Sequence, residues 1–203
     1  MSFDLQPTLT GKLLELRPLR PEDFDLLYAI ASDPLIWEQH PVHDRWQAEV
    51  FRGFFRESLA SGGALIAIDS SNRQVIGSSR FHGYDRENSE IEIGWTFLAR
   101  SHWGGRYNGE MKQLMLQHAF DFVQRVVFLV GPRNLRSQRA LQKTGATLAG
   151  SRADASGLES LVYQITRRLT VPVDGLQATA ARPNHDRAVP AKRARGTPRA
   201  GAG

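Results

Sequence analysis

The chain has 203 residues, of which 41% are apolar, 23% charged and 9% aromatic, the make-up of one globular domain with room for an appendage rather than of a fibrous or wholly disordered chain. It contains no cysteine, which excludes disulfide scaffolds, thiolate nucleophiles, zinc ribbons and iron–sulfur clusters. The net charge of +5 is unevenly placed: from Thr170 onward there are six cations (Arg182, Arg187, Lys192, Arg193, Arg195, Arg199) and two anions (Asp174, Asp186), leaving the body nearly neutral.

The chain begins without a basic head followed by an apolar stretch, so no secretory signal is expected and the cytoplasm is the expected location. Leu13–Leu19 reads as a strand. Pro21-Glu22-Asp23 then opens a helix, because proline suits the first turn and acids suit the positive end of the dipole. A second helix is expected over Gln47–Leu59, ending at Ser61-Gly62-Gly63. Ala64–Asp69, Gln74–Tyr84 and Glu90–Leu98 read as three strands of an antiparallel meander, separated by turn-rich segments.

After Arg100 the helical period returns, with Met111, Leu114, Met115, His118, Ala119 and Phe122 on one stripe. Val126–Val130 is a short, wholly apolar run that reads as a buried strand, and no apolar run approaches the ~20 residues a membrane-spanning helix needs. Leu135–Lys143 reads as a helix with Gly145 as its C-terminal stop, and Ala146–Arg152 and Glu159–Arg167 as closing strands. The predicted order is β-α-α-β-β-β-α-β-α-β-β, an α/β (α+β) protein with a mixed sheet and not a regular βαβ alternation. Thr170–Gly203, rich in Ala, Pro, Gly and Arg, has no hydrophobic periodicity and is expected to be disordered. It is either a weak electrostatic tether to nucleic acid or ribosomes or a solvated extension.

The informative stretch is Glu90–Glu110, where a strand enters a Gly-containing loop that opens directly into a helix. The first amides of such a helix lack internal partners and, with the dipole behind them, can seat a phosphate or pyrophosphate. Gly104 and Gly105 allow close backbone approach, and Arg106 can add a contact. Neither a P-loop nor Gly-x-Gly-x-x-Gly is present, which argues against nucleotide hydrolysis and dinucleotide binding. His40-Pro41-Val42-His43 has the spacing of a helical metal pair. Pro41 breaks the helix and no carboxylate completes the set, so no metal is expected.

Trp103-Gly-Gly-Arg-Tyr-Asn-Gly-Glu110 resembles the acyl-CoA loop of the GNAT superfamily of N-acetyltransferases, in the branch of the ribosomal-protein N-terminal acetyltransferases. Asn134-Leu-Arg-Ser-Gln-Arg-Ala-Leu-Gln-Lys-Thr-Gly-Ala146 resembles that family's Asn-x-x-Ser-x-x-x-Leu-x-Lys-x-Gly segment, in the expected order. The likeness covers about residues 13–168, giving an expected domain of 1–169 and a tail of 170–203. One departure stands out: against the usual Gln/Arg-x-x-Gly-x-Gly/Ala loop, Ser101 takes the basic or amide position and Arg106 the last glycine.

The resemblance implies a GNAT-like, mostly antiparallel sheet flanked by helices. It also implies direct attack by a primary amine, on a protein N-terminus or a small molecule, at the thioester carbon of acetyl-CoA or another acyl-CoA. A positioned base must take the amine's proton. Glu90 and Glu92 are the candidates, and Glu92 is favoured by its Glu-Ile-Gly-Trp setting. Backbone amides of Trp95, Thr96, Phe97 and Leu98 would meet the acyl carbonyl and pantetheine, and Trp103, Gly104, Gly105, Arg106, Tyr107 and Asn108 the diphosphate. Asn134 would bind pantetheine, cap a helix, or both. The general-acid tyrosine of many relatives falls at Gln142, leaving Ser137 as either its substitute or a helix cap. Trp37, His40, Tyr84 and Trp95 either frame the acceptor or pack the core. A homodimer is common in the family. The competing reading is a catalytically silent acyl-CoA-binding protein.

Overall fold

The computed structural model describes residues 2–154 and 157–167. The expected domain limit and the basic tail lie outside them. Strands β1 (Leu9–Thr10) and β2 (Leu14–Pro18) open the chain, and a single 3-10 turn at Pro21–Asp23 leads into α1 (Phe24–Ala31), short α2 (Pro34–Trp37) and α3 (Ala48–Ala60). The meander β3 (Ala64–Asp69), β4 (Val75–Asp85) and β5 (Glu90–Leu98) precedes α4 (Arg106–Ala119). The chain continues through β6 (Arg125–Val130), α5 (Leu135–Lys143), β7 (Thr147–Ala153) and β8 (Glu159–Thr166). The expected order is observed with two additions, β1 and α2, which are too short to leave a periodic signal. Among the described residues no helix is long and apolar enough to cross a membrane.

Local chemistry sets the boundaries. Asp23 accepts the Arg20 backbone N–H at 2.8 Å and pairs through both oxygens with the Arg17 guanidinium, so a buried carboxylate starts the first helical segment with every oxygen occupied. Asp33 caps α2 by accepting from Leu35 N at 3.1 Å, with Pro34 at the first position. At the other end of a helix, Gly145 takes φ 87° after α5. Its N–H reaches Gln142 O, and Ala146 N reaches Leu141 O, the paired bonds of a Schellman stop.

The eight strands form one sheet ordered β1-β2-β3-β4-β5-β6-β8-β7. Every neighbouring pair is antiparallel except β5 and β6, which run parallel. Two apolar layers cover its faces. Met111, Met115 and Ala119 of α4 and Leu141 of α5 pack with Leu16, Phe81, Ile91, Ile93 and Phe128 on one side. Leu27 of α1, Trp37 of α2 and Phe51, Phe54 and Phe55 of α3 pack with Ile66 and Phe97 on the other. Because Ile91 and Ile93 face α4, the alternation of the strand turns Glu92 toward the α1–α3 side.

Candidate active site

The site is built where the two central strands part. β5 pairs with β6 only through Glu90, Ile91 and Glu92, opposite Arg125, Val126 and Val127. Beyond that point β5 runs on against β4 to Leu98, while β6 runs on against β8 to Val130. The middle of the sheet therefore opens into a V, and the β5 edge after Glu92 has no ladder partner on β6. A register shift between Ser78 and Arg80 marks a bulge, and Trp95 within it takes φ 52°. A tryptophan in the left-handed region is strained, and strain of this kind is held where a strand edge must be aimed.

The loop after β5 meets the open end of the V. Gly104 and Gly105 have φ 101° and 106°. A Cβ at either would stand in open space, so the backbone dihedral and not crowding calls for glycine. Gly105 is the N-cap of α4, no side chain caps the helix, and no acidic residue lies in its first turn. The amides of Arg106, Tyr107 and Asn108 thus lack intrahelical partners and face the positive end of the dipole, a seat for an anion.

The loop is pinned from behind. Asp69 accepts from Tyr107 OH at 2.9 Å, from the backbone N–H and hydroxyl of Ser71, and contacts His102 Nε2 at 3.2 Å. The Ser71 hydroxyl, with the other donors, holds the Asp69 carboxyl far below the usual carboxylate range. Glu110, one helical turn into α4, accepts three amides of the β1–β2 turn, Lys12, Leu13 and Leu14. Trp103 donates its Nε1 to Leu98 O at 3.0 Å, and Arg136 of α5 lies 4.2 Å over its ring. Trp103 therefore joins the two arms of the V across its mouth.

At the apex stands Glu92. Burial pushes its carboxyl up to about 7, against the opposing pull of Arg152, Arg80 and Lys112. Behind it Lys112, 4% exposed, enters from α4. Its Nζ donates to Thr96 Oγ1 of β5 at 2.6 Å and lies 5.4 Å from the Phe128 ring of β6, so it fills the gap between the parted strands. Burial lowers Lys112 to about 7, with Glu92 pulling the other way. Glu90 takes a different part: it is ion-paired to Arg125 and Arg152 at 2.6 and 3.2 Å, which ties β5 to β6 and β7, whereas among the described residues Glu92 has no ion pair.

The structure separates the remaining predicted residues. Asn134 caps α5, its Oδ1 accepting from Ser137 N at 3.1 Å. Among the described residues the Ser137 hydroxyl makes no hydrogen bond. Phe97 and Leu98 are buried in opposite layers, so only their backbone can meet a ligand. Trp37 and His40 meet at 5.8 Å between ring centroids, and Trp95 packs against the same α1–α3 layer, although the Trp37 indole N–H is taken by Ala31 O at 2.7 Å. Tyr84 stands apart, packing 5.5 Å from Phe3 in the α4 layer. Sequence reasoning passed over Arg80, Arg45, Lys112, Asp69 and Glu110. A charged Arg80 inside the strand Val75–Asp85 was the available signal, because a buried strand carries an arginine only with a purpose. Lys112 was masked by the apolar stripe beside it.

A parted parallel strand pair facing a glycine-opened helix defines the class of acyl-CoA-dependent transferases. Residues 14–147 match the family model described as the acetyltransferase (GNAT) domain, and the chain belongs to that family. Its fold is similar to a GCN5-related N-acetyltransferase of Brucella melitensis, with 19% identity, a TM-score of 0.70 and 79% of each chain covered. An acetyltransferase of Agrobacterium tumefaciens is 25% identical over 79% of this chain and 95% of its own, with a TM-score of 0.63. A Vibrio cholerae protein provisionally assigned as a ribosomal-protein-serine acetyltransferase shares the fold at 14% identity, with a TM-score of 0.64 over 79% of this chain and 98% of its own. No curated protein matches in sequence.

Proposed function

We propose that the protein transfers an acyl group, acetyl in the first instance, from acyl-CoA to a primary amine by direct attack, with Glu92 as the general base. The observation that carries this reading is the half-buried Glu92 at the apex of the V, raised to about 7 by desolvation. An α-amine titrates near 8, so a carboxylate in this range can accept the proton it sheds, directly or through one water. The raised value favours an enzyme over a silent acyl-CoA-binding protein, for which a desolvated carboxylate at this point would be a cost without return.

On the same reading the amides of Gly104–Asn108, with Arg106, hold the diphosphate, and no acidic side chain in that first helical turn opposes it. The free β5 edge from Ile93 to Leu98 lines up pantetheine and offers N–H groups to the thioester oxygen as charge develops. Asn134 caps α5 through Oδ1 and turns its amide nitrogen to pantetheine, and Ser137 supplies a proton to the departing thiolate. Residues 1–169 as the catalytic domain, the tail as a separate segment and the cytoplasm as location belong to the same proposal.

The test combines binding and turnover. Calorimetry should detect CoA binding by the wild type and by Glu92→Gln within twofold of each other. Release of CoA from acetyl-CoA with a panel of amines should be seen in the wild type and fall at least a hundredfold in the variant. Binding with no turnover by the wild type on any amine would overturn the enzyme reading.

A further inference from the structure

On the face of the sheet that carries Glu92, two guanidinium groups lie close together without a carboxylate partner. Arg80 is opposite Gly94 in the β4–β5 ladder, and its neighbour on the same face, His82, is opposite Glu92. Arg80 is 4% exposed. Its Cζ lies 4.4 Å over the Trp95 ring, it donates one N–H to Ser58 Oγ, and its Nε is buried with no acceptor among the described residues. Arg45, from the segment between α2 and α3, lies 4.6 Å over the Phe54 ring, the same ring that Arg80 approaches to 5.8 Å.

Among the described residues neither arginine has a carboxylate within 4.0 Å. The nearest acids that act on them are exposed Glu57, Asp44 for Arg45, and Glu92 itself for Arg80. Burial and the charge of Arg80 both bear on Arg45, lowering it to about 10. His40 stands beside Arg45. Val42 N–H donates to its Nδ1 at 2.9 Å, and burial keeps the ring neutral at about 4. Its Nε2 meets Arg45 Nη1 at 3.1 Å, so the ring holds the Arg45 guanidinium in place beside Arg80 without neutralising it.

A desolvated cation pair with an orphaned N–H is expensive unless an anion completes it. Arginine forks match a carboxylate in both charge and shape. We infer that the acceptor amine carries a carboxylate of its own, which Arg80 and Arg45 bind while the amine is presented to Glu92. The inference rests on the acyltransferase reading and narrows its acceptor to amino acids or acidic peptides. Trp95, held at positive φ under the Arg80 guanidinium, is the wall along which such an acceptor would lie.

The test uses the full chain with acetyl-CoA. CoA release is followed for ω-amino acids from β-alanine to 6-aminohexanoate, each against its primary amide at equal free-amine concentration, and for the peptide Ser-Asp-Ala against Ser-Asn-Ala. At least one acid is expected to exceed its amide tenfold in kcat/KM, the small-acid or peptide arm showing which source is used. Arg80→Gln should bring that ratio below two, and Arg80→Lys should restore part of it. Should Arg80→Gln lose its near-ultraviolet circular dichroism, Arg45→Gln carries the same expectation. Turnover of every acid and amide pair within twofold would overturn the inference and leave the acyltransferase intact. Absence of turnover on any amine would overturn the acyltransferase reading instead. The cation pair is then tested by titration with glutarate: binding that weakens tenfold in Arg80→Gln supports it, and no binding overturns it.

Discussion

The two sides of the opened sheet are built in opposite ways. On the α4 side the two carboxylates that hold the loop and helix are over-supplied with partners: Asp69 takes four contacts and Glu110 three backbone amides. On the α1–α3 side Arg80 and Arg45 have no carboxylate within 4.0 Å among the described residues, the Arg80 Nε has no acceptor there, and Glu92 is desolvated. A satisfied network fixes a backbone in place, which suits a loop that must offer amides to an invariant coenzyme. An unsatisfied one is completed only by a ligand, which suits selection and chemistry.

That contrast can be broken in graded steps. Glu92→Gln should cost most, roughly 10²–10⁴-fold in kcat/KM, the usual worth of a positioned base, with CoA affinity unchanged. The same change alters the pH dependence of stability. The native carboxyl is raised from 4.5 to about 7, so the folded state holds more protons than the unfolded one in that window, and wild-type stability falls as pH rises through it. Glu92→Gln should remove that fall, on the order of 2 kcal/mol, in denaturant titrations at pH 5 and pH 7.5.

Next comes the anchoring side. Asp69→Ala strands the Tyr107 hydroxyl and the Ser71 donors, and should lower stability by about 2–3 kcal/mol and raise the KM for acetyl-CoA as the loop loosens. Gly105→Ala meets no neighbour and is penalised by its φ of 106° alone. An effect of about 1–3 kcal/mol is expected, read as a right-shifted CoA titration or a lower unfolding midpoint. Smallest is Glu110→Gln, which keeps an acceptor for the β1–β2 amides but loses its charge. A change of about 1 kcal/mol in unfolding free energy is expected, with turnover at saturating acetyl-CoA preserved.

Elements with a strong period were legible in the sequence nearly to the residue. The stripe from Met111 to Phe122 gave α4, and the turn clusters gave the meander. The stripe overran the helix, which ends at Ala119, because Phe122 still packs on Phe3 after the chain has left it. The glycine-opened loop and Glu92 were legible because their chemistry is local. The parting of β5 from β6 was legible only as what the family resemblance implies, since register is a relation between strands 35 residues apart that no local pattern carries. The cation pair was equally hidden: Arg45 and Arg80 both approach the Phe54 ring in the fold, and nothing in their spacing announces it. Tyr84 shows the reverse, an aromatic whose sequence position suggested a rim and whose strand face put it in the core.

The base assignment is tested most directly by the pH dependence of kcat/KM for an acceptor amine, compared between wild type and Glu92→Gln and expressed per free amine. The account predicts a rising limb centred near pH 7 in the wild type and its disappearance, with the residual rate flat, in the variant. A variant that keeps both the limb and the wild-type rate would contradict it.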